Sequence, residues 1–149
     1  MSFIGKIIDF NEFEELVKTE KNYLVVMCSK HKQIKRTYSS FSVVKISEVL
    51  SKELLKYRKE QRLINLSNEL DRIIAMSKSN KLIIKDFDIL FNPYYKIDVL
   101  KWMINISRNK KVIVLWNGIL EKQSLIYSEN GYLDYKSYNL KNYEVFCVN

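Results

Sequence analysis

The sequence predicts an α/β domain in three layers, a parallel sheet with helices on both faces. Two observations predict it. Three short runs, Tyr23–Cys28, Leu82–Ile84 and Val112–Trp116, are apolar at consecutive positions, which suits strands covered on both sides. Between them lie stretches whose apolar residues recur at helical spacing, and strands alternating with helices assemble into a parallel sheet. The three strands are expected as neighbours in the buried middle of that sheet, over residues near 23–28, 82–91 and 112–116.

The elements follow in order. Asp9 can cap a helix, with Glu12 completing a capping box and Phe10, Phe13, Leu16 and Val17 sharing one face. The first apolar strand comes next, and residues 29–40 read as a polar, basic loop. Phe41–Ile46 is a second short apolar run. Ser47 is placed to cap a helix carrying Leu50, Leu54 and Tyr57, and Ser67 to open another with Leu70, Ile73 and Ile74 facing inwards. After the strand at Leu82, Asn92-Pro93 breaks the pattern. A helix then carries Ile97, Leu100, Met103, Ile104 and Ser107 along one side. The strand from Val112 stops at Asn117-Gly118, and two candidate strands remain, Ser124–Tyr127 and Tyr143–Val148.

Composition bounds the function. The 149 residues suffice for a single domain spanning 1–149, and 47% hydrophobic content with 3 Gly and 1 Pro excludes collagenous and disordered classes. The 25 basic and 17 acidic residues leave a net charge of +8, which favours anionic partners. Cys28 and Cys147 sit inside apolar runs and read as buried free thiols of a reducing compartment. A single histidine, His31, leaves little support for zinc. No apolar stretch approaches the ~20 residues of a membrane span, and Asp9 interrupts any signal-peptide core. The expectation is a soluble, cytoplasmic protein with no membrane contact.

Open α/β sheets bind ligands at the carboxyl ends of their strands. The first strand is followed there by Lys30, Lys32, Lys35 and Arg36, which form either a solvated basic surface or a contact for nucleic acid, phosphate or an acidic partner. A phosphate cradle needs glycines so that backbone amides can turn inwards, and none occurs there. Asp86 and Asp88 follow the strand at Leu82; carboxylates so placed hold Mg²⁺ through water or serve as caps and loop acceptors. Asn117 has two readings, orienting a water or a γ-phosphate, or making a turn before Gly118. Tyrosines from Tyr127 to Tyr143 can stack bases or pack at the sheet rim. No nucleophile elbow exists, and acyl-transfer chemistry has little support.

Several segments together carry a family resemblance. Asp88-Ile89-Leu90-Phe91-Asn92-Pro93, Asp98-Val99-Leu100, Ser107-Arg108-Asn109 and Trp116-Asn117-Gly118 follow in that order. Leu125-Ile126-Tyr127, Gly131, Asp134-Tyr135 and Tyr138 come after them, and Ile46–Leu55 fits upstream. The series resembles the BrxF family, small P-loop-type proteins of BREX phage-defence systems, particularly of type 3. The resemblance implies a P-loop NTPase-like fold and partners among other BREX-type subunits. Where that family carries a Gly-rich Walker A motif, this chain has the glycine-free window Met27–Thr37. Lys85 stands where an Mg²⁺-associated aspartate is expected, unless a one-residue shift restores Asp86.

The expected function is therefore a non-hydrolysing, P-loop-like subunit of a BREX-type complex, with no cofactor. It would act through Lys30, Lys32, Lys35 and Arg36 and through a face built from Ser107-Arg108-Asn109 and Trp116-Asn117-Gly118. Asp86, Asp88 and Asn117 would be vestiges of a nucleotide site. Two alternatives stand beside it. One is an ATPase using ATP and Mg²⁺ at an atypical site with Lys30, Lys32 or Lys35; the other is a stand-alone module binding DNA or RNA.

Overall fold

The computed structural model describes residues 3–29 and 31–149, and of residues 35 and 37 the backbone alone. Five parallel pairings join six strands into one sheet. In chain order the strands are β1 (Lys6–Ile8), β2 (Leu24–Met27), β3 (Ser42–Lys45), β4 (Lys81–Lys85), β5 (Lys111–Leu115) and, last in the chain, β9 (Phe146–Val148). Their spatial order is β1-β9-β2-β5-β4-β3. The three apolar runs are thus neighbours, as expected, with Leu24 paired to Val112 and Leu82 to Val112 on its other side.

Side-chain alternation divides each central strand between two cores. Leu24, Val26, Leu82, Ile84, Val112 and Val114 pack into the larger one, under helices α3 (Ile46–Leu54), α4 (Lys59–Met76) and α5 (Val99–Ser107). Val25, Met27, Ile83, Ile113 and Leu115 face the smaller one, under α1 (Phe10–Lys18) and α2 (His31–Thr37). This double burial is why the runs lack polar positions. The capping box at α1 forms: the Asp9 carboxylate accepts from the Glu12 amide at 2.7 Å, and the Asp9 amide donates to Glu12 Oε1 at 3.4 Å.

Several sequence expectations are corrected. Residues 31–37 are not a loop but the helix α2. Lys, Gln and Arg are good helix formers, and one apolar residue, the buried Ile34, anchors the helix to the sheet without leaving a visible period. Ser47 does not cap α3, which starts at Ile46; its hydroxyl instead accepts from the Ile89 amide at 3.2 Å. Tyr57 lies beyond the end of α3 and donates to Glu69 Oε1 at 2.8 Å. The next helix begins at Lys59, well ahead of Ser67, because the stretch from Lys59 to Leu66 is itself rich in helix formers and needs no side-chain cap. The strand at Leu82 stops at Lys85 rather than 91. Asp86 takes a left-handed backbone (φ 51°), and two 3-10 turns, Asp88–Phe91 and Pro93–Tyr95, follow it.

The chain also forms a second sheet. Strands β6 (Ile119–Glu121), β7 (Ser124–Tyr127) and β8 (Lys136–Asn139) pair antiparallel in that order. Leu125 and Tyr138 from this sheet, and Leu140 just after it, are buried in the larger core. The small sheet therefore packs onto the larger core, with Tyr127 of β7 beside the turn that follows β4.

Candidate functional site

The carboxyl end of β2 joins α2 through only three residues, 28 to 30. The described backbone groups at its start are bonded across the sheet. The Cys28 amide donates to the Val148 carbonyl at 2.8 Å, and the Trp116 amide donates to the Met27 carbonyl at 3.0 Å. A ring nitrogen of His31, Nε2, lies 3.1 Å from the same carbonyl. A phosphate cradle needs several successive amides free and turned inwards, and the Cys28 amide, first in the connection, is already committed to the sheet. The Cys28 thiol is pushed up to about 12 by burial, and Cys147 is raised chiefly by burial and then by Cys28 beside it. Neither is a thiolate nucleophile near neutral pH.

Beside this end, Asp88 is the centre of a polar clasp. The Tyr127 hydroxyl donates to Asp88 Oδ1 at 2.8 Å, and the Asn117 amide donates to Oδ2 at 3.2 Å. Tyr127 also stacks on Phe91, with centroids 3.7 Å apart and planes 9° from parallel. Burial first, and then the hydrogen bond to Asp88, hold the Tyr127 phenol above its usual range. The carboxylate and the amide thus tie the small sheet to the turn after β4. A second clasp repeats the arrangement: Tyr143 donates to Asp98 Oδ2 at 2.8 Å while Asp98 Oδ1 caps α5 through the Lys101 amide. Burial, then Asp98, pushes Tyr143 up to about 12.

Trp116 and Gly118 have structural work of the same kind. The indole is buried, 1% exposed, and its Nε1 donates to the Ile126 carbonyl at 3.1 Å. A Cβ on Gly118 would stand 1.8 Å from that carbonyl oxygen, so only glycine lets β7 pass this close. Trp116 is consequently no surface contact, contrary to the expectation. Asn117 is exposed, but its amide is committed to Asp88.

The expected common face does not form either. Ser107-Arg108-Asn109 precedes β5 and Trp116-Asn117-Gly118 follows it, so the five-residue strand holds them about 17 Å apart, at opposite ends of the sheet. Ser107 is buried, with its hydroxyl donating to the Ile104 carbonyl at 2.6 Å, whereas Arg108 and Asn109 are exposed. Lys32 and Arg36 are exposed one turn apart on α2. Lys35 belongs to the same helix, its side chain lying outside the described residues, as does all of Lys30. Asp86 is exposed, and its carbonyl accepts from the Ser47 amide at 2.6 Å. Lys85 is half-buried at the last position of β4. The expected tyrosine series divides: Tyr127, Tyr138 and Tyr143 pack into or against the larger core, and Tyr132 is exposed.

At the amino ends of the strands the topology assembles a group that the sequence hides. Phe3, Tyr23 and Phe146 form one aromatic cluster, with Phe3 stacked on Phe146 at 4.9 Å and Tyr23 edge-on to both, at 5.7 and 5.2 Å. With Lys6, Lys21 and Arg108 they line a cavity of about 600 Å³. No signal along the chain links these six residues; β1, β9 and β2 being adjacent brings them together. Among the described residues no cluster of three or more His, Cys, Asp or Glu is placed to hold a metal ion. Comparison with family models, with curated proteins and with solved structures found no match to this chain.

Proposed function

We propose that the chain is a P-loop-like subunit of a BREX-type phage-defence complex that works without binding or hydrolysing ATP. The observation that carries the nucleotide-independent half is the connection after β2: no glycine from Met27 to Thr37, with the Cys28 amide already bonded across the sheet. Support for the P-loop-like half comes from the order β9-β2-β5-β4-β3, in which one strand is inserted between β2 and β4, the strand that Asp86 follows. P-loop NTPases with an inserted strand share that arrangement. The defence-complex half rests on the resemblance to the BrxF family. In this reading Asp88 and Asn117 are no longer nucleotide ligands but the clasp that seats the small sheet.

The test is thermal unfolding with and without millimolar Mg-ATP. A ligand present at 100 times its dissociation constant adds about 2.7 kcal/mol of stability, a shift of several degrees for a domain of this size. No shift and no phosphate release are expected. A rise of several degrees would mean that an atypical cradle exists and would favour the ATPase alternative. Purification of the tagged chain from its native host tests the other half: other BREX-type subunits should come with it, and their absence would remove the assignment to a complex.

A further inference from the structure

We infer that the cavity at the amino ends of β1, β9 and β2 binds single-stranded nucleic acid, a base lodging against Phe3, Tyr23 and Phe146 with its flanking phosphates on Lys6, Lys21 and Arg108. The lining is of two kinds that one ligand class combines. Half-buried rings offer apolar, π-faced surface, and three exposed cations surround it. No carboxylate lines the cavity among the described residues, and none of the three cations forms an ion pair there. Lys6 already holds its ammonium 5.7 Å from the centre of the Phe146 ring.

A bare phosphate would leave the rings unused and fill little of about 600 Å³. An apolar ligand would leave three like charges uncompensated. A duplex keeps its bases stacked inside, so it could meet the cations but not enter the cavity. A single strand satisfies both kinds of lining, since unpaired bases stack on aromatic side chains while basic residues track the backbone. The cations also come from three separate segments: β1, the approach to β2, and the turn between α5 and β5. That suits a chain passing through rather than one terminal group. The net charge of +8 extends the field that draws in a polyanion.

Fluorescence anisotropy with labelled oligo(dT) of about 15 nucleotides, a length near the upper site sizes of single-strand binders, tests the inference. The single strand should bind more tightly than a hairpin duplex of equal charge. Tyr23→Leu keeps the apolar packing but removes the stacking ring, and should weaken binding about tenfold. Changing Lys6, Lys21 and Arg108 together to Gln alters exposed side chains only. It should reduce the magnitude of the salt slope by about 2, at ~0.7 per lost phosphate contact. Lys32→Gln with Arg36→Gln, on α2, should change the slope less. Melting temperatures confirm folding of each variant. Equal or tighter binding of the duplex would overturn the inference. So would an unchanged affinity in both the Tyr23 and the triple variants, or competition by dTMP as strong as by the oligonucleotide.

Discussion

Replacing Gly118 by alanine should destabilise the protein by about 3 kcal/mol, lowering its melting temperature by roughly 6 to 12 °C. The added Cβ would lie 1.8 Å from the Ile126 carbonyl oxygen and 2.6 Å from Trp116 Nε1, the two ends of one hydrogen bond. Relief requires moving β7, and with it Leu125 and the Phe91–Tyr127 stack, out of the larger core. Gly131 is the internal comparison. Its φ is +101° and nothing lies within 4 Å of its would-be Cβ, so Gly131→Ala carries only the conformational penalty, about 1 kcal/mol. Urea melts of both variants decide the matter. Equal losses at the two positions would mean that β7 gives way to the added methyl at little cost and that its close passage does not make Gly118 necessary.

A second large effect is expected in alkali. Cys28, Cys147, Tyr127, Tyr138 and Tyr143 all lie above their ordinary values, and burial is the largest cause for each. A native value above the unfolded one means that the contribution is complete below the unfolded pKa and is lost as pH rises towards the native pKa. The unfolded chain releases these protons first, from about pH 9 for thiols and 10 for phenols, and each one the native state retains costs about 1.4 kcal/mol per pH unit. The two thiols alone should remove about 5 kcal/mol by pH 11, comparable with the whole stability of a small domain. Denaturant melts from pH 8 to 11 should show a decline that steepens above pH 10. Stability that stays level over that range would show the thiols titrating as freely as in the unfolded chain.

Tyr138→Phe sharpens this test. The Tyr138 hydroxyl is buried without a hydrogen bond of good geometry, although the Val99 backbone lies near it. Its removal should leave neutral-pH stability unchanged or slightly higher, because the folded state loses an unsatisfied polar group. Above pH 10 the variant should lose stability less steeply than the parent. A marked loss at neutral pH would instead assign the hydroxyl a partner worth keeping.

How far the sequence reached can be judged residue by residue. Leu24–Met27, Leu82–Ile84 and Val112–Leu115 announce a doubly covered sheet because burial on both faces leaves a gapless apolar run. Asp9 and Glu12 announce a helix start because the capping box is a contact three residues long. Ile34 gives no such notice, since one buried side chain has no period. Asp86 ends its strand by a left-handed backbone that an aspartate tolerates but does not declare. Trp116-Asn117-Gly118 reads as a turn and surface motif, yet Trp116 and Gly118 are fitted to the Ile126 carbonyl and Asn117 to Asp88. Only the packed small sheet makes those roles visible.

The same division separates the two ends of the molecule. The sequence by itself determined the parallel α/β class, the positive charge and the want of a glycine cradle after the first central strand. Each is a local or summed property, set by neighbours along the chain. Tertiary structure alone decided that Asp88, Asn117 and Tyr127 close one end of the sheet, while Phe3, Lys6, Tyr23, Arg108 and Phe146 open a basic, aromatic cavity at the other. Those contacts join residues up to 143 positions apart, from 3 to 146. The cavity exists because β9, last in the chain, inserts between β1 and β2, and pairing over such separation leaves no periodic trace in the chain.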